Sequence, residues 1–284
     1  MKIQHFFDND TFTLTYIVWD EQSRDAVIID PVLDYNPNSG KFSYKSADLH
    51  LEFIKKNELN VHYILETHAH ADHLSSSVYL KKNLPKAKVA IGAPIKLVQE
   101  VFKGVFNMKE LKTDGSQFDQ LLNENEVVQA GSLSFKVLYT PGHTPACASY
   151  LFGDNVFTGD ALFMPDYGTG RCDFPKGCAE DLYHSVTQKL YTLPDSTKYF
   201  TGHDYLPNDR ELKFQSTIGE SKKSNIRLTG STSKEDFVKF RRERDATLEA
   251  PRLLLPSIQV NIAAGHLPEA EDNGMRYLKL PIRE

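Results

Sequence analysis

The sequence predicts a β-rich α/β protein built from two stacked αβ halves, and the order of its predicted elements is the main reason. Short β-rich segments open the chain, at 12–18 and 26–29, and helices alternate with strands after them. The β pattern returns from residue 126, and a second alternation of helix and strand follows. Candidate metal ligands come directly after several of these strands. This order predicts two related halves within one domain.

In the first half, hydrophobic periodicity assigns the elements that follow the two opening strands. Ser46 is expected to cap a helix, and a strand is expected at 62–66. A helix at 74–82, a short strand at 88–91 and a helix after Pro94 then complete this half.

In the second half, strands are expected at 133–139, 149–152 and 156–158, with a polar turn between the last two. Leucine and valine repeat every four residues over 182–190, which predicts a helix. One more strand is expected at 199–201.

Beyond these elements, we expect residues 206–284 to form a C-terminal helical and tail extension, packed on a single domain that spans 1–284. Ser233 begins a capped helix in this extension. The later segment from Leu253 to Ile262 is too apolar to remain in water, so it either packs on the body or forms a homodimer contact.

Composition excludes several classes of protein. With 33 basic and 38 acidic side chains, the formal charge is −5, so we expect no nucleic-acid partner. No apolar run approaches the roughly 20 residues that span a bilayer, so we expect no membrane contact and a cytoplasmic location. Cys147, Cys172 and Cys178 form no C-x-x-C pair, and their odd count suits a reducing compartment.

The segment Thr67-His68-Ala69-His70-Ala71-Asp72-His73 contains four residues that bind metals well, and all four lie within the six positions 68–73. Alternate residues of an extended segment point the same way, so His68 and His70 can share one metal. Asp72 and His73, where the chain turns, face a neighbouring second position. Packing alone does not explain such a density of ligands.

Three more candidate ligands each follow a predicted strand and a glycine. His143 lies in T-P-G-H-T-P, Asp160 in T-G-D and His203 in T-G-H. Glycine permits close approach of the backbone, and the tight turn aims each side chain inward. Together with the first segment, this spacing predicts a metal site at the strand ends.

These motifs resemble the metallo-β-lactamase superfamily, whose T-H-x-H-x-D-H, later G-H, later aspartate and final histidine recur here in order. The resemblance covers most of the chain. It implies an αββα sandwich of two mixed β-sheets flanked by helices, with the metal at one edge of the sheets. Membership of the superfamily does not by itself define the reaction.

Two branches of the superfamily have nearly identical ligand motifs. For a glyoxalase II-like thioester hydrolase, the resemblance implies two Zn(II) ions with Asp160 bridging them. His68, His70 and His143 then bind one ion, while the other ion is bound by Asp72, His73 and His203. The bridged water attacks the thioester carbonyl.

For a persulfide dioxygenase, the resemblance implies one Fe(II) per chain, held by His68, His143 and Asp160 as a facial triad. Its other positions take persulfide sulfur and dioxygen. The remaining four residues then orient ligands and water through hydrogen bonds rather than binding metal: His70, Asp72, His73 and His203. The substrate is glutathione persulfide or a related thiol persulfide, and sulfite and free thiol are formed, a reaction of sulfide detoxification.

Segments downstream resemble the dioxygenase branch, above all bacterial β-lactamase-hydrolase-like proteins. In G-R-x-D-F, Arg171 is implied to hold the glutathionyl group, and in H-D-Y, Tyr205 is implied to assist. Each also has a structural alternative, since Arg171 can pair with Asp173 and Tyr205 can be a packed ring. The M-P-D-Y segment at 164–167 lengthens this region relative to shorter dioxygenases.

Some relatives carry a rhodanese domain, for which these 284 residues leave no room, so any sulfurtransferase partner is expected to be a separate protein. A non-catalytic metal-binding module is the alternative of another class, and it is disfavoured because no ligand is missing.

Overall fold

The computed structural model describes residues 1–282 of the chain. Within them the strands are β1 (Lys2–Asp8), β2 (Thr13–Trp19), β3 (Asp25–Ile29), β4 (Val32–Asn36), β5 (Lys41–Ser43), β6 (Asn60–Glu66), β7 (Leu74–Ser75), β8 (Lys88–Gly92), β9 (Gln120–Leu122), β10 (Val127–Ala130), β11 (Leu133–Tyr139), β12 (Ala148–Phe152), β13 (Asn155–Gly159), β14 (Lys198–Thr201) and β15 (Gln215–Thr217). The α-helices are α1 (Lys45–Lys56), α2 (Ser77–Asn83), α3 (Ile95–Val105), α4 (Ala179–Gln188), α5 (Ile218–Ser224), α6 (Lys234–Asp245) and α7 (Leu254–Asn261). Among the described residues, none of these helices combines the length and the apolar character needed to cross a membrane.

Most of the strands form two six-stranded sheets of mixed direction. The first sheet has the order β1-β2-β3-β6-β8-β9, and the second has the order β10-β11-β12-β13-β14-β15. In the first sheet β3, β6, β8 and β9 run parallel, and in the second β13 and β14 do so. Parallel neighbours bring their carboxyl ends to the same edge of a sheet, where ligand sites of open α/β sheets form.

The two sheets pack face to face. Along β2, Leu14 and Tyr16 point into a core that they share with Phe157 of the second sheet. Ile17, on the opposite face of the same strand, packs instead with Val98 of α3. The outer face of the second sheet packs against α4 and α6. The layers are therefore helices, sheet, sheet and helices, which confirms the expected αββα sandwich.

The first helix is capped differently from the prediction. Ser46 lies inside α1, which starts at Lys45, and its side chain does not cap the helix. Its N–H and hydroxyl both donate to the Asp34 carboxylate of β4, at 3.0 and 2.8 Å. A carboxylate from a neighbouring strand thus satisfies the free N–H of the first turn, which local sequence does not reveal.

The helix expected at 74–82 begins later, because its first two residues form strand β7. Leu74 pairs with Leu33 and Ser75 with Val32 in an antiparallel ladder. Helix α2 then starts at Ser77. A strand of two residues is too short to show alternation, so the helical period alone governed the prediction.

The segment after residue 206 packs against the body and also supplies a strand, β15, which pairs antiparallel with β14. Helix α6 contacts α4, and α7 contacts β7. Ile258, Val260 and Ile262 are fully buried. Ser233 Oγ accepts the N–H of Asp236 at 3.1 Å, so it caps α6 as predicted.

Candidate metal centre

The seven predicted ligands meet at the carboxyl ends of four strands. His68 follows β6, His143 follows β11, Asp160 follows β13 and His203 follows β14. All except the partly exposed Asp72 are buried. The loop that contains His68 supplies the other three: His70, Asp72 and His73.

A first group contains His68, His143 and Asp160, with one ligand atom of each within 4.8 Å of the others. His143 Nε2 lies 3.6 Å from Asp160 Oδ2, and His68 Nε2 lies 4.0 Å from the same oxygen. These separations are too long for hydrogen bonds but suit donors arranged around a common ion. Two imidazoles and one carboxylate are the donor set of facial iron sites.

Hydrogen bonds fix the tautomers of both histidines in this group. Thr67 Oγ1 donates to Asp30 at 2.8 Å, so it accepts the Nδ1–H of His68 at 3.0 Å. The Nδ1–H of His143 donates to the carbonyl oxygen of Arg171 at 2.7 Å. Each Nε2 therefore keeps its lone pair, directed toward the group.

A second group contains the other four ligands, His70, Asp72, His73 and His203. His203 Nε2 lies 3.2 Å from Asp72 Oδ2 and 3.5 Å from Asp160 Oδ1. Asp160 thus lies between the groups, with one carboxylate oxygen near each. His70 lies in this second group, although its ring centroid is only 4.0 Å from that of His68.

Several donor atoms of the two groups are buried and have no hydrogen-bond partner within residues 1–282: His68 Nε2, His73 Nε2, His203 Nε2, Asp72 Oδ1 and Asp160 Oδ1. An unsatisfied buried polar atom costs about 1–3 kcal/mol, and one cation satisfies several such atoms together. Imidazole and carboxylate donors suit iron and zinc. The residues therefore fit a bound metal ion of this kind.

The protonation states of residues in both donor groups also suit a bound cation. Burial and the neighbouring imidazoles lower the pKa of His68 well below its usual value, and the same causes lower the pKa of His73 to about 3. A neutral imidazole offers its lone pair to a metal at neutral pH. Burial raises the pKa of Asp160 despite the opposing charges of His203 and His143, and an adjacent cation favours the ionised carboxylate.

His70 lies between two buried carboxylates that the sequence did not single out. Its Nε2 is 3.0 Å from Asp30 Oδ1 and 3.5 Å from Glu66 Oε2. Burial opposes protonation, yet these carboxylates raise the pKa of His70 well above its ordinary value. Asp30 also accepts the N–H of Thr67 at 2.7 Å. The sequence does place Asp30 at the end of an apolar strand, where a buried carboxylate requires a polar or charged partner.

Asn261, the last residue of α7, holds the loop that carries four of the candidate ligands. Its Nδ2 donates to the carbonyl oxygens of His70 and His73 at 2.8 and 2.7 Å. Its Oδ1 accepts the N–H of Ser75 at 2.8 Å, and the side chain is 4% exposed. Local sequence does not indicate this role, because Asn261 lies nearly 200 residues from its partners along the chain.

Replacing Asn261 with alanine is expected to weaken metal binding about 10- to 100-fold, the usual cost of removing a group that orients the ligands. Competition with a chelator on metal-loaded protein measures this affinity. Gln259→Ala is the matched control, because Gln259 also lies buried in α7 but bonds to Lys279 of the tail. Equal losses in both variants would contradict a specific role for Asn261.

A cavity of about 570 Å³ lies over the first group, and His143, Asp160, Arg171 and Tyr205 all line it. Both predicted substrate residues are therefore beside the candidate metal. The guanidinium of Arg171, however, is engaged: Nε and Nη2 donate to the Asp173 carboxylate at 2.6 Å each. Its Nη1 donates to a backbone carbonyl at 2.7 Å. Arg171 is therefore paired with Asp173, the structural alternative that the sequence allows.

The segment 164–167 forms part of the cavity wall through Asp166 and Tyr167. Tyr167 stacks on Tyr205, with ring centroids 4.9 Å apart. Arg210 binds both Asp166 and Asp204, which is next to Tyr205, with contacts of 2.6 Å to each. These ion pairs hold the 164–167 segment and the H-D-Y segment together.

Comparison with known proteins gives a family match and close relatives. A family model described as the metallo-beta-lactamase superfamily matches residues 8–203. The chain is 50% identical to Glyoxylase B2 of Dictyostelium discoideum, covering 99% of this chain and 97% of that protein. It is 47% identical to the Beta-lactamase hydrolase-like protein of Agrobacterium fabrum, covering 99% of this chain and 64% of that protein.

More distant similarity extends to ETHE1 proteins. The mitochondrial persulfide dioxygenase ETHE1 of Bos taurus is 34% identical, covering 84% of this chain and 79% of that protein. The crystal structure of ETHE1 from Myxococcus xanthus matches with a TM-score of 0.75 and 34% identity, covering 94% of this chain and 100% of that one. The region matched by the family model contains both groups of candidate ligands and ends at the last of them, His203. The chain therefore belongs to the metallo-β-lactamase superfamily.

Proposed function

We propose that the chain is a non-haem iron persulfide dioxygenase, with one Fe(II) held by His68, His143 and Asp160. The substrate is glutathione persulfide or a similar low-molecular-weight persulfide, and the products are sulfite and the free thiol. The observation that carries the proposal is the grouping of these three donors beside the cavity. Two imidazoles and one carboxylate leave open coordination positions for sulfur and dioxygen.

Sequence similarity also supports a persulfide dioxygenase. The relative from Bos taurus is named a persulfide dioxygenase, and it aligns with most of this chain. His70 has a separate set of partners, Asp30 and Glu66, which suits a residue that orients the ligand loop rather than binding iron. Tyr205 lines the cavity beside the donors, as the dioxygenase branch implies.

The residues of the chain supply binding and proton transfer in this reaction. When bound, ferrous iron supplies the redox chemistry that lets persulfide sulfur and dioxygen react side by side. One persulfide, one dioxygen and one water give one sulfite and one thiol. His203 and Asp72, whose Nε2 and Oδ2 atoms are 3.2 Å apart, are placed to accept and return the protons of the water.

A second candidate function is a glyoxalase II-like thioesterase with two zinc ions. It is favoured by the position of Asp160 between the two donor groups, which is where a bridging carboxylate belongs. The name of the relative from Dictyostelium discoideum points the same way. The two functions differ in the metal, its number and the need for dioxygen.

Oxygen uptake separates the two functions. Anaerobically purified chain loaded with Fe(II) is expected to consume dioxygen and release sulfite in equal amounts when glutathione persulfide is added. The matched measurement is thiol release from S-lactoylglutathione by the same protein and by protein loaded with zinc. Thioester hydrolysis without oxygen uptake in iron-loaded protein, with two metals per chain, would overturn the dioxygenase proposal.

A further inference from the structure

The cavity over the metal donors is lined by an unusual number of arginines. Five side chains contribute: Arg171, Arg227, Arg241, Arg244 and Arg252. Two of them are neutralised within the protein, since Arg171 binds Asp173 at 2.6 Å and Arg241 binds Asp245 at 2.5 Å. The positive charge available to a ligand therefore comes from the other three.

These three arginines have only neutral partners in the described part of the chain. Arg227 lies over the ring of Phe240, 4.3 Å from its centroid. Arg244 Nη1 lies 3.3 Å from Thr247 Oγ1, and Arg252 Nη2 lies 3.3 Å from the backbone oxygen of Asp10. None of the three forms a salt bridge within residues 1–282, so each guanidinium keeps donors for an anion.

The acidic groups of the cavity do not cancel this charge. Asp72 and Asp160 belong to the metal donors, and Asp166 binds Arg210 at 2.6 Å. Asp10 is exposed at the rim, as are Arg227, Arg244 and Arg252, and its single carboxylate does not balance three guanidinium groups. The side of the cavity formed by residues 226–252 is therefore positively charged.

Arg244 also faces the aromatic wall of the cavity. Burial raises the pKa of Tyr167, and the nearby charge of Arg244 opposes that rise. Tyr167 stacks on Tyr205, which lines the cavity with Asp160. The same cavity therefore brings together metal donors, stacked aromatic rings and guanidinium groups.

We propose that Arg227, Arg244 and Arg252 form an anion-binding subsite that holds a carboxylate of the thiol carrier. The inference rests on the proposed function, and it assigns the charge recognition to these residues rather than to the guanidinium of Arg171. Guanidinium groups bind carboxylates through paired, charge-assisted hydrogen bonds. A cavity of about 570 Å³ has the size of small-molecule sites, which suits a thiol as large as a tripeptide.

Substrate charge provides the test. In Arg244→Gln, the KM for glutathione persulfide is expected to rise about tenfold, and the triple Gln variant of the subsite is expected to show a larger rise. The KM for the persulfide of glutathione diethyl ester, which has no free carboxylate, is expected to stay unchanged. Arg244→Lys is expected to show a smaller rise in this KM than Arg244→Gln, because lysine keeps the positive charge but lacks the paired N–H donors of a guanidinium group.

Arg242→Gln is the matched control, since Arg242 lies on the same helix, pairs with Glu180 and does not line the cavity. It is expected to behave as the parent chain with both substrates. An equal rise in KM for the acid and the ester would overturn the subsite. A rise seen in Arg171→Gln but not in the triple variant would assign recognition to Arg171 instead.

A direct binding measurement distinguishes failure of the arginine subsite from failure of the proposed dioxygenase function. Calorimetric titration of metal-loaded protein with S-methylglutathione needs no oxygen and no reaction. Weaker binding by the triple variant, with unchanged binding by Arg242→Gln, supports the subsite even if oxygen uptake fails. Unchanged binding by the triple variant contradicts the subsite even if the dioxygenase activity is established.

Discussion

Asp160→Asn is expected to leave the purified chain with little bound iron and to lower oxygen uptake with glutathione persulfide by about 10³-fold. Asp160 is the carboxylate of the first donor group, with Oδ2 3.6 Å from His143 Nε2. Asparagine keeps the shape but removes the negative charge, so the loss comes from metal binding rather than from packing. Several kcal/mol of metal-dependent stabilisation correspond to a change of this size. Metal analysis and an oxygen electrode measure both effects.

Asp72→Asn is the matched comparison, since Asp72 belongs to the second group. With one iron held by the first group, this variant is expected to keep about one metal per chain and to lose roughly 10- to 100-fold in activity. Loss of one of two metals in Asp72→Asn would contradict the single-iron site. That result would favour the binuclear thioesterase.

Asp245→Ala is expected to lower the free energy of unfolding by about 3–5 kcal/mol, because it leaves Arg241 as an unpaired buried charge. Both side chains are 6% exposed, and their charged atoms are 2.5 Å apart. The pair also holds the cavity segment: Asp245 accepts the N–H of Cys172 at 2.8 Å, and Arg241 donates to the carbonyl oxygen of Gly170 at 3.1 Å. Urea denaturation followed by circular dichroism measures the change.

The control for Asp245 is Glu243→Ala, on the same helix. Glu243 pairs with Lys239 at 4.0 Å, and both side chains are largely exposed. Exposed pairs contribute little, so no measurable change in the denaturation midpoint is expected. A midpoint in Asp245→Ala as high as in this control would show that the buried pair contributes little to stability.

All seven residues of the two candidate donor groups could be singled out from the sequence, because each stands in a local motif at the end of a strand. These motifs are specific because the loops that carry them lie very close to each other. Gly159 has φ +50°, and a Cβ at this position would lie 2.6 Å from Thr67 Oγ1. The glycine before Asp160 is therefore required where the two loops meet. The four-layer fold followed from the same motifs through the family resemblance.

Long-range partners could not be predicted in this way. Asp30 and Glu66 beside His70, and Asn261 beneath the ligand loop, act through side chains that no local pattern links to the metal. Asp34 caps α1 from another strand for the same reason. The pairing of Arg171 with Asp173 was foreseen only as an alternative, since sequence spacing does not distinguish a free guanidinium from a paired one.

The candidate metal donors come from both sheets, and this arrangement affects the lifetime of the folded protein. His68 belongs to the loop after β6, in the first sheet, whereas His143 and Asp160 follow strands of the second. An ion that binds only the folded chain cross-links the two sheets and favours the folded state by mass action. Chelation would remove this cross-link and make the chain more susceptible to proteolysis, so the abundance of the protein would follow the supply of its metal.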